Sequence, residues 1–314
     1  MKTVFFGSPA AARPSLEAVL AAGHSVELVI TQPDKPAGRG RKLAPSAVKL
    51  FAAERGIPLI EPARIRTDET ARERIHAAGP DVNIVVAYGQ IIPRAVHHFP
   101  RYHSLNVHFS LLPKYRGAAP VHWAVLNGDA ESGVTIIELD DRMDEGDILA
   151  QERVSVGPRE SALALETRLA ALGADLLVAT LARIGRVPRL RQDGTLATLA
   201  PKIRKEQGRV DWTQASGAVD RMVLALSERP GAFTHYRGKR VNIVRGRPTG
   251  PADLSAQVAA APGTVVGTGK AGLTVACGGA TAYLIEELQP EGKGAMSAHA
   301  FSLGTRIAPG DAMG

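Results

Sequence analysis

Strand-like and helix-like segments take turns along the first 189 residues, and that alternation limits the fold more than any single motif. Thr3–Phe6, Val26–Ile30, Val82–Ala87, Leu105–His108, Val134–Leu139 and Ile148–Val156 are short apolar runs of strand length. Stretches near 45–55, 68–78, 117–127 and 161–184 carry apolar residues at helical spacing. So does the segment after Gly7-Ser8-Pro9, through Leu16, Val19 and Leu20. Ser8 is expected to cap that first helix and Pro9 to take its first position. Apolar strands separated by helices predict a Rossmann-like α/β fold, a mostly parallel sheet with helices on both faces.

The alternation stops after Ile184. Gly185-Arg186-Val187-Pro188 opens an aperiodic basic stretch that reads as a linker. One helix near Thr213–Leu226 follows, then short β-rich runs at Ala232–Tyr236, Lys239–Val244, Gly263–Val266, Leu273–Ala276 and Ala282–Leu288. Gly and Pro punctuate these runs at turn spacing, which predicts a smaller, OB-like β-barrel. Residues 246–262, rich in Pro, Ala and Gly, are expected to form a loose loop. The expected division is an α/β domain over 1–189, a basic linker over 190–207 and a C-terminal barrel over 208–314.

With 45% apolar and 22% charged residues among 314, the chain can bury two cores, and wholesale disorder is excluded. No apolar run reaches the roughly 18–20 residues that span a bilayer. The apolar start, Val4-Phe5-Phe6, is shorter than the roughly 7–15 residues of a signal peptide core. Cys277 is the sole cysteine, so neither an internal disulfide nor a multi-cysteine metal site is available. A cytoplasmic protein with no membrane partner is expected.

The net charge of +7 is unevenly spread. Residues 34–49 hold Lys35, Arg39, Arg41, Lys42 and Lys49 against Asp34. Residues 183–209 hold eight lysines and arginines against Asp193 and Glu206. Residues 237–247 hold Arg237, Lys239, Arg240, Arg245 and Arg247 with no acid. Such concentration points to a polyanionic partner. Ordinary solvated surface charge is the competing reading.

Chemistry is densest in Ser104-Leu-Asn-Val-His-Phe-Ser-Leu-Leu-Pro113, followed by Lys-Tyr-Arg-Gly117. Asn106 and His108 stand two apart on a strand, so both side chains leave one face. After the next strand, Asp140, Asp141, Asp144, Glu145 and Asp147 gather around Gly146. Open α/β sheets build sites at the carboxyl ends of strands, so neighbouring ends are expected to unite an amide, an imidazole and a carboxylate. That set suits acyl transfer to an amine. The first strand–helix turn lacks G-x-G-x-x-G, and the chain lacks a P-loop, which argues against a nicotinamide or ATP enzyme. Blander readings compete. Asn106 and His108 can be a satisfied polar pair. His97, His98, His103 and His108 have no familiar metal-ligand spacing, and the acidic run lacks that of a calcium loop. Ser110 lacks the G-x-S-x-G elbow of a nucleophile.

Taken together, Asn106-x-His108, Ser110-Leu-Leu-Pro113 with Arg116-Gly117, and Met143-Asp144-x-Gly146-Asp147 resemble the 10-formyltetrahydrofolate-dependent formyltransferases. The resemblance runs in order along almost the whole chain and is nearest to members acting on methionyl initiator tRNA. Phe6-Gly7-Ser8-Pro9 resembles the family's first turn, Val85–Gly89 a folate-pocket strand, and Gly117-Ala-Ala-Pro120 a helix start. Gln32–Leu43 resembles a basic insertion that grips the tRNA acceptor end.

The resemblance implies a catalytic set of Asn106, His108 and Asp144. It implies a folate site at Ser110, Leu111, Leu112, Pro113, Val86 and Tyr88. For tRNA it implies Lys35, Arg39, Arg41, Lys42, Arg204, Lys205, Arg237, Lys239 and Arg240. The implied reaction moves a formyl group from 10-formyltetrahydrofolate to the amine of methionyl initiator tRNA, for translation initiation, with no metal, in a monomer. Phe109 stands where the family commonly has glycine, and its ring is expected to narrow the substrate side. Ser227-Glu-Arg-Pro230 departs from the usual Asn-Pro-Trp-Pro. An amino-sugar nucleotide formyltransferase would share fold and trio without needing the basic loop. A non-catalytic RNA-binding protein on the same scaffold would be expected to have a broken trio.

Overall fold

The computed structural model describes residues 1–37, 42–228, 230–249 and 260–314, in two compact units. The first comprises 1–120, 131–155 and 165–201; the second comprises 121–130, 156–164 and 202–314.

In the first unit, strands β1 (Lys2–Gly7), β2 (Ser25–Ile30), a short hairpin β3 (Lys35–Ala37) and β4 (Lys42–Ala44), β5 (Leu59–Ile60), β6 (Val82–Val86) and β7 (Ser104–His108) come first. They are interleaved with helices α1 (Arg13–Ala21), α2 (Ala47–Glu54), α3 (Glu69–Ala78) and α4 (Arg94–His97). After α5 (Pro120–Asn127) come β8 (Glu131–Glu138), β9 (Ile148–Ser155) and α6 (Ala162–Leu181). The sheet order is β5-β2-β1-β6-β7-β8-β9, parallel from β5 to β7 and antiparallel across β7-β8 and β8-β9.

Register sorts the side chains by face. Val4, Phe6, Leu28, Ile30 and Val85 share one face and pack with Ala71 and Ile75 of α3 and with Tyr88. Asn106 pairs with Val85 and Ile137, and His108 with Thr135, so both belong to that same face. The opposite face carries Val107, Phe109 and Val134 against Gly173 of α6, where an added Cβ would lie 2.8 Å from Val107 Cγ1. Glycine at 173 lets the helix backbone come this close to the sheet.

Each strand predicted in this unit is present, though β8 begins at Glu131, three residues before Val134, and β3, β4 and β5 lie outside the predicted runs; three local readings also change. Ser8 caps no helix: its Oγ accepts from Thr31 Oγ1 and the Gln32 amide, both at 3.0 Å. A short 3-10 turn, Ala10–Ala12, follows Pro9, and α1 begins afresh at Arg13, with Pro14 supplying the fixed φ of a first turn. The basic loop is flanked by the β3-β4 ladder, its residues 38–41 lying outside the described ones. Residues 190–201 are no free connector. Leu190 pairs with Ile148 and Leu199 with Arg116, so this stretch lies along the first unit.

The second unit combines an antiparallel sheet with helices α7 (Ser216–Ala225) and α8 (Ala298–Thr305) and with most of α5. Its strands are β10 (Ala232–Tyr236), β11 (Lys239–Pro248), β12 (Val265–Gly269), β13 (Gly272–Cys277), β14 (Thr281–Pro290) and β15 (Met296–Ser297). The order is β10-β11-β14-β13-β12, with β15 paired to β14. Val219 and Val223 of α7 and Phe301 of α8 share a core with Trp212, Val241, Ile243, Val275, Tyr283 and Ile285. Arg159 donates from Nε and Nη2 to the Asp220 carboxylate at 2.8 and 2.9 Å, and Tyr283 Oη donates to it at 3.2 Å. Cys277 is buried beside this core, and desolvation pushes its thiol up to about 12. Among the described residues, no helix is long and apolar enough to cross a membrane.

Candidate active site

Asn106 and His108 leave β7 toward one face, 9% and 5% exposed. His108 Nε2 lies 2.9 Å from the Tyr115 carbonyl, which only accepts, so Nε2 carries the hydrogen of that bond. Its Nδ1 lies 3.7 Å from Asp144 Oδ1, and Asn106 Nδ2 donates to the same oxygen at 3.4 Å. One amide, one imidazole and one carboxylate therefore converge.

Asp144 reaches them by a route that neighbouring strand ends do not describe. Because β8 runs antiparallel to β7, Glu138 at its end pairs with Leu105 near the start of β7. The 139–147 loop must double back over the sheet face to bring Asp144 to His108. Two glycines near Asp144 stand where no side chain fits. A Cβ at Gly146 would fall 1.7 Å from the Glu138 carbonyl oxygen, and one at Gly117 (φ +122°) would lie 2.8 Å from that of Ala200. Asp144 itself has a φ of +55°, uncommon for a side-chain-bearing residue. The Gly117 amide donates to its Oδ2 at 2.8 Å. Two other acids of the cluster are occupied elsewhere: Asp141 with Arg94 and His97, Glu145 with Arg116 and Arg142.

The loop from Ser110 to Pro113 is held just as firmly. Ser110 Oγ donates to the Lys114 carbonyl at 2.6 Å, so its hydroxyl is spent inside the turn. Thr135 Oγ1 donates to the Ser110 carbonyl and accepts from the Leu112 amide, and Gln151 Nε2 donates to the Leu112 carbonyl. Leu112 packs with Ile137 and Ile148, whereas Leu111 and Pro113 are half-buried. Two residues expected beside them are oriented differently. Val86 pairs with Val107 on the face opposite His108 and is fully buried. Tyr88 is 1% exposed, its ring edge-on to Phe6, and burial pushes its phenol up. Ala87 and Gly89 flank it in the open, so that turn offers a ligand backbone rather than side chains. Phe109 does not narrow the substrate side: strand alternation turns its ring away from His108, toward Gly173 on α6.

Of the basic residues, Lys35 and Lys42 are paired backbone in β3 and β4, and Arg39 and Arg41 lie outside the described residues. Lys49 is spent, bonded to Asp34 at 2.9 Å and Glu61 at 2.8 Å. In the second unit, Arg204, Lys205, Arg237 and Lys239 are exposed, as are Lys202 and Arg209. Arg237 stacks on Tyr236, and Arg240, half-buried, lies over Phe233 at 3.7 Å and donates to Asn242. Arg229, within the divergent Ser227–Pro230 segment, lies outside the described residues. Among the described residues, no three of His, Cys, Asp and Glu converge as a metal-binding group.

Residues 1–181 match the family model described as formyl transferase, and residues 202–306 match that of the formyl transferase C-terminal domain. The chain belongs to the formyl transferase family. Relatives named methionyl-tRNA formyltransferase from Geobacter metallireducens and Solibacter usitatus are 39% and 43% identical, each over 100% of this chain and 99% of its own. A crystal structure of HypX from Aquifex aeolicus in complex with tetrahydrofolic acid is similar with a TM-score of 0.66 at 18% identity. It matches 96% of this chain and 47% of its own, so this chain spans about half of that protein. An N-formyltransferase from Helicobacter canadensis, in complex with folinic acid and dTDP-3-aminofucose, has a TM-score of 0.64 at 18% identity, over 92% of this chain and 99% of that one. At such identities both likenesses concern the fold.

In this formyl transferase, the residues that brace the trio carry no signal in the sequence. Gln192, Thr135 and Gln151 are isolated polar residues in strands or in an aperiodic stretch, and Tyr115 and Gly117 contribute only backbone. Glu138 braces the far end of β7. Burial works to raise its carboxyl, but hydrogen bonds from His103 and Arg189 outweigh that and hold it below the usual carboxylate range.

Proposed function

We propose that this chain transfers a formyl group from 10-formyltetrahydrofolate to the α-amine of methionine carried on initiator tRNA. The observation that carries the reaction type is the meeting of Asn106, His108 and Asp144 on one face of the sheet. Full-length relatives named for methionyl-tRNA support the acceptor.

The proton chemistry follows from the hydrogen bonds. With Nε2–H committed to the Tyr115 carbonyl, neutral His108 keeps its lone pair on Nδ1, facing Asp144. As the amine nitrogen bonds to the formyl carbon, it sheds a proton, which Nδ1 accepts directly or through water. The resulting imidazolium pairs with the Asp144 carboxylate. The carbonyl oxygen gathers negative charge, and the Asn106 amide, only weakly engaged at 3.4 Å, is the donor available to it. The carbon–nitrogen bond to the folate then breaks, its nitrogen takes up a proton, and tetrahydrofolate and formylmethionyl-tRNA leave. The braced Ser110–Pro113 loop and the Ala87–Gly89 backbone are the proposed folate contacts. The exposed Lys202, Arg204, Lys205, Arg209 and Lys239, which form no ion pair among the described residues, are proposed to meet tRNA phosphates.

The test supplies purified protein with 10-formyltetrahydrofolate and either charged initiator tRNA or an amino-sugar nucleotide, and measures the N-formyl product. Formylation of the tRNA alone is expected. Formylation of the sugar alone would overturn the acceptor assignment.

A further inference from the structure

Asp144 is held at both of its ends, and one side chain closes the circuit. Gln192 lies in the basic stretch after α6 and is 9% exposed. Its Nε2 donates to the carbonyls of Asp144 and Gly146, each at 2.8 Å. Its Oε1 accepts from Arg116 Nε at 3.1 Å and Nη2 at 2.9 Å. Both amide hydrogens and the carbonyl are therefore used, with little capacity left for a substrate. Arg116, equally buried, also reaches Glu145 at 3.2 Å. The next residue, Gly117, donates its amide to Asp144 Oδ2. The ring runs from the Asp144 carbonyl through Gln192 and Arg116 to Gly117 and back to the Asp144 carboxylate. It brackets a residue in left-handed backbone conformation, which the surroundings must hold in place.

We propose that Gln192 is a positioning residue: it fixes the Asp144 backbone so that the carboxylate faces His108 Nδ1. The proposal rests on the formyl-transfer reading above and extends it to a residue that touches no reacting atom. Arg116 does not reach the two carbonyls of the loop itself: its donors go to Gln192 Oε1 and to Glu145, and Gln192 Nε2 makes the contact to Asp144 and Gly146. The amide is the group that accepts on one side and donates on the other.

The test compares Gln192→Met, close in length but unable to form these bonds, with Gln192→Glu, which keeps an acceptor for Arg116 but offers no donor to the carbonyls. Both are expected to lower kcat by on the order of 10- to 100-fold, as a small misplacement near the chemistry does. KM for folate and charged tRNA should stay within about threefold and the thermal midpoint within a few degrees. In an Asp144→Asn background, Gln192→Met should cost almost nothing more, since the two act as one unit. Amide exchange at Gly117, followed by NMR without substrates, should accelerate in Gln192→Met. Wild-type kcat in either variant, a loss confined to KM, or multiplied losses in the double variant would each overturn the proposal. So would unchanged Gly117 exchange. If the wild-type protein formylates no tRNA, the functional reading fails by itself, and Gly117 exchange still decides the role of Gln192.

Discussion

His108 and Asp144 divide the chemistry unequally. Replacing His108 with alanine removes the proton acceptor, and turnover should fall by roughly 10²–10⁴. Asp144→Asn can still accept from the Gly117 amide, so the loop should stay in place while the charge opposite Nδ1 is gone. Its turnover should approach that of His108→Ala, with a thermal melt close to wild type; retained turnover in either variant would remove that residue from the mechanism. Asn106→Ala should lose about 10²–10³ in kcat if its amide meets the oxyanion. At this scale the sequence was readable where chemistry follows spacing. Asn106 and His108 share a face because strands alternate, and the same rule turns Phe109 away, a consequence that its unusual identity obscured. By spacing alone Asp144 is one acid among five, and only the resemblance of Met143-Asp144-x-Gly146-Asp147 marks it. Its left-handed backbone and long return over the sheet leave no local pattern.

Strands and helices were legible because each buries a run of apolar side chains with its own period. Strand direction has no such signature, so the reversal of β8 emerges only from pairing. Gly146 is where that reversal is most exposed to test. Gly146→Ala would push a methyl into the Glu138 carbonyl, which is backbone and cannot yield cheaply. It should lower activity at least tenfold and soften the 139–147 loop, seen as faster amide exchange there. Nearby, the lowered Glu138 carboxyl gives a signed pH effect. A folded value below the unfolded one adds stability that is complete above the ordinary carboxylate range and is lost as pH falls through the depressed value. Urea unfolding from about pH 6 down to about pH 3 should therefore show a shallower acid decline in Glu138→Gln than in wild type. The basic hairpin is anchored below its tip, through Asp34–Lys49–Glu61 and the hydroxyls of Ser8, Thr31 and Ser46. Changing Arg39, Arg41 and Lys42 to alanine should raise KM for charged tRNA and leave that for folate unchanged. The salt dependence of tRNA binding should become shallower by roughly one unit for each phosphate that the variant no longer neutralises. Coincident slopes would make the loop ordinary surface.

Across the whole molecule, the borders drawn along the sequence and the compact units differ. Residues 121–130 and 156–164 precede the C-terminal family match, yet they belong to the second unit. Arg159 is the clearest case, a half-exposed guanidinium whose acid partner Asp220 is 7% exposed on α7. Arg159→Ala leaves that buried carboxylate its charge with only the Tyr283 hydroxyl against it and should cost about 3–5 kcal/mol, whereas Asp220→Ala lets the arginine return to water and should cost about 1–3 kcal/mol. Equal losses in urea melts would show that Asp220 is solvated when alone. A fragment starting at residue 202 lacks Arg159 and should melt lower than the same unit in the full chain. The one cysteine supplies the gauge for such comparisons. Cys277 ends β13 in the interior of the second unit, and with its thiol pushed up to about 12 it is almost wholly protonated near neutral pH. A slow sulfhydryl reagent then reacts only when that unit opens. Unmodified protein therefore carries its own clock for one half of the molecule, and any bound molecule that slows the labelling is stabilising that half.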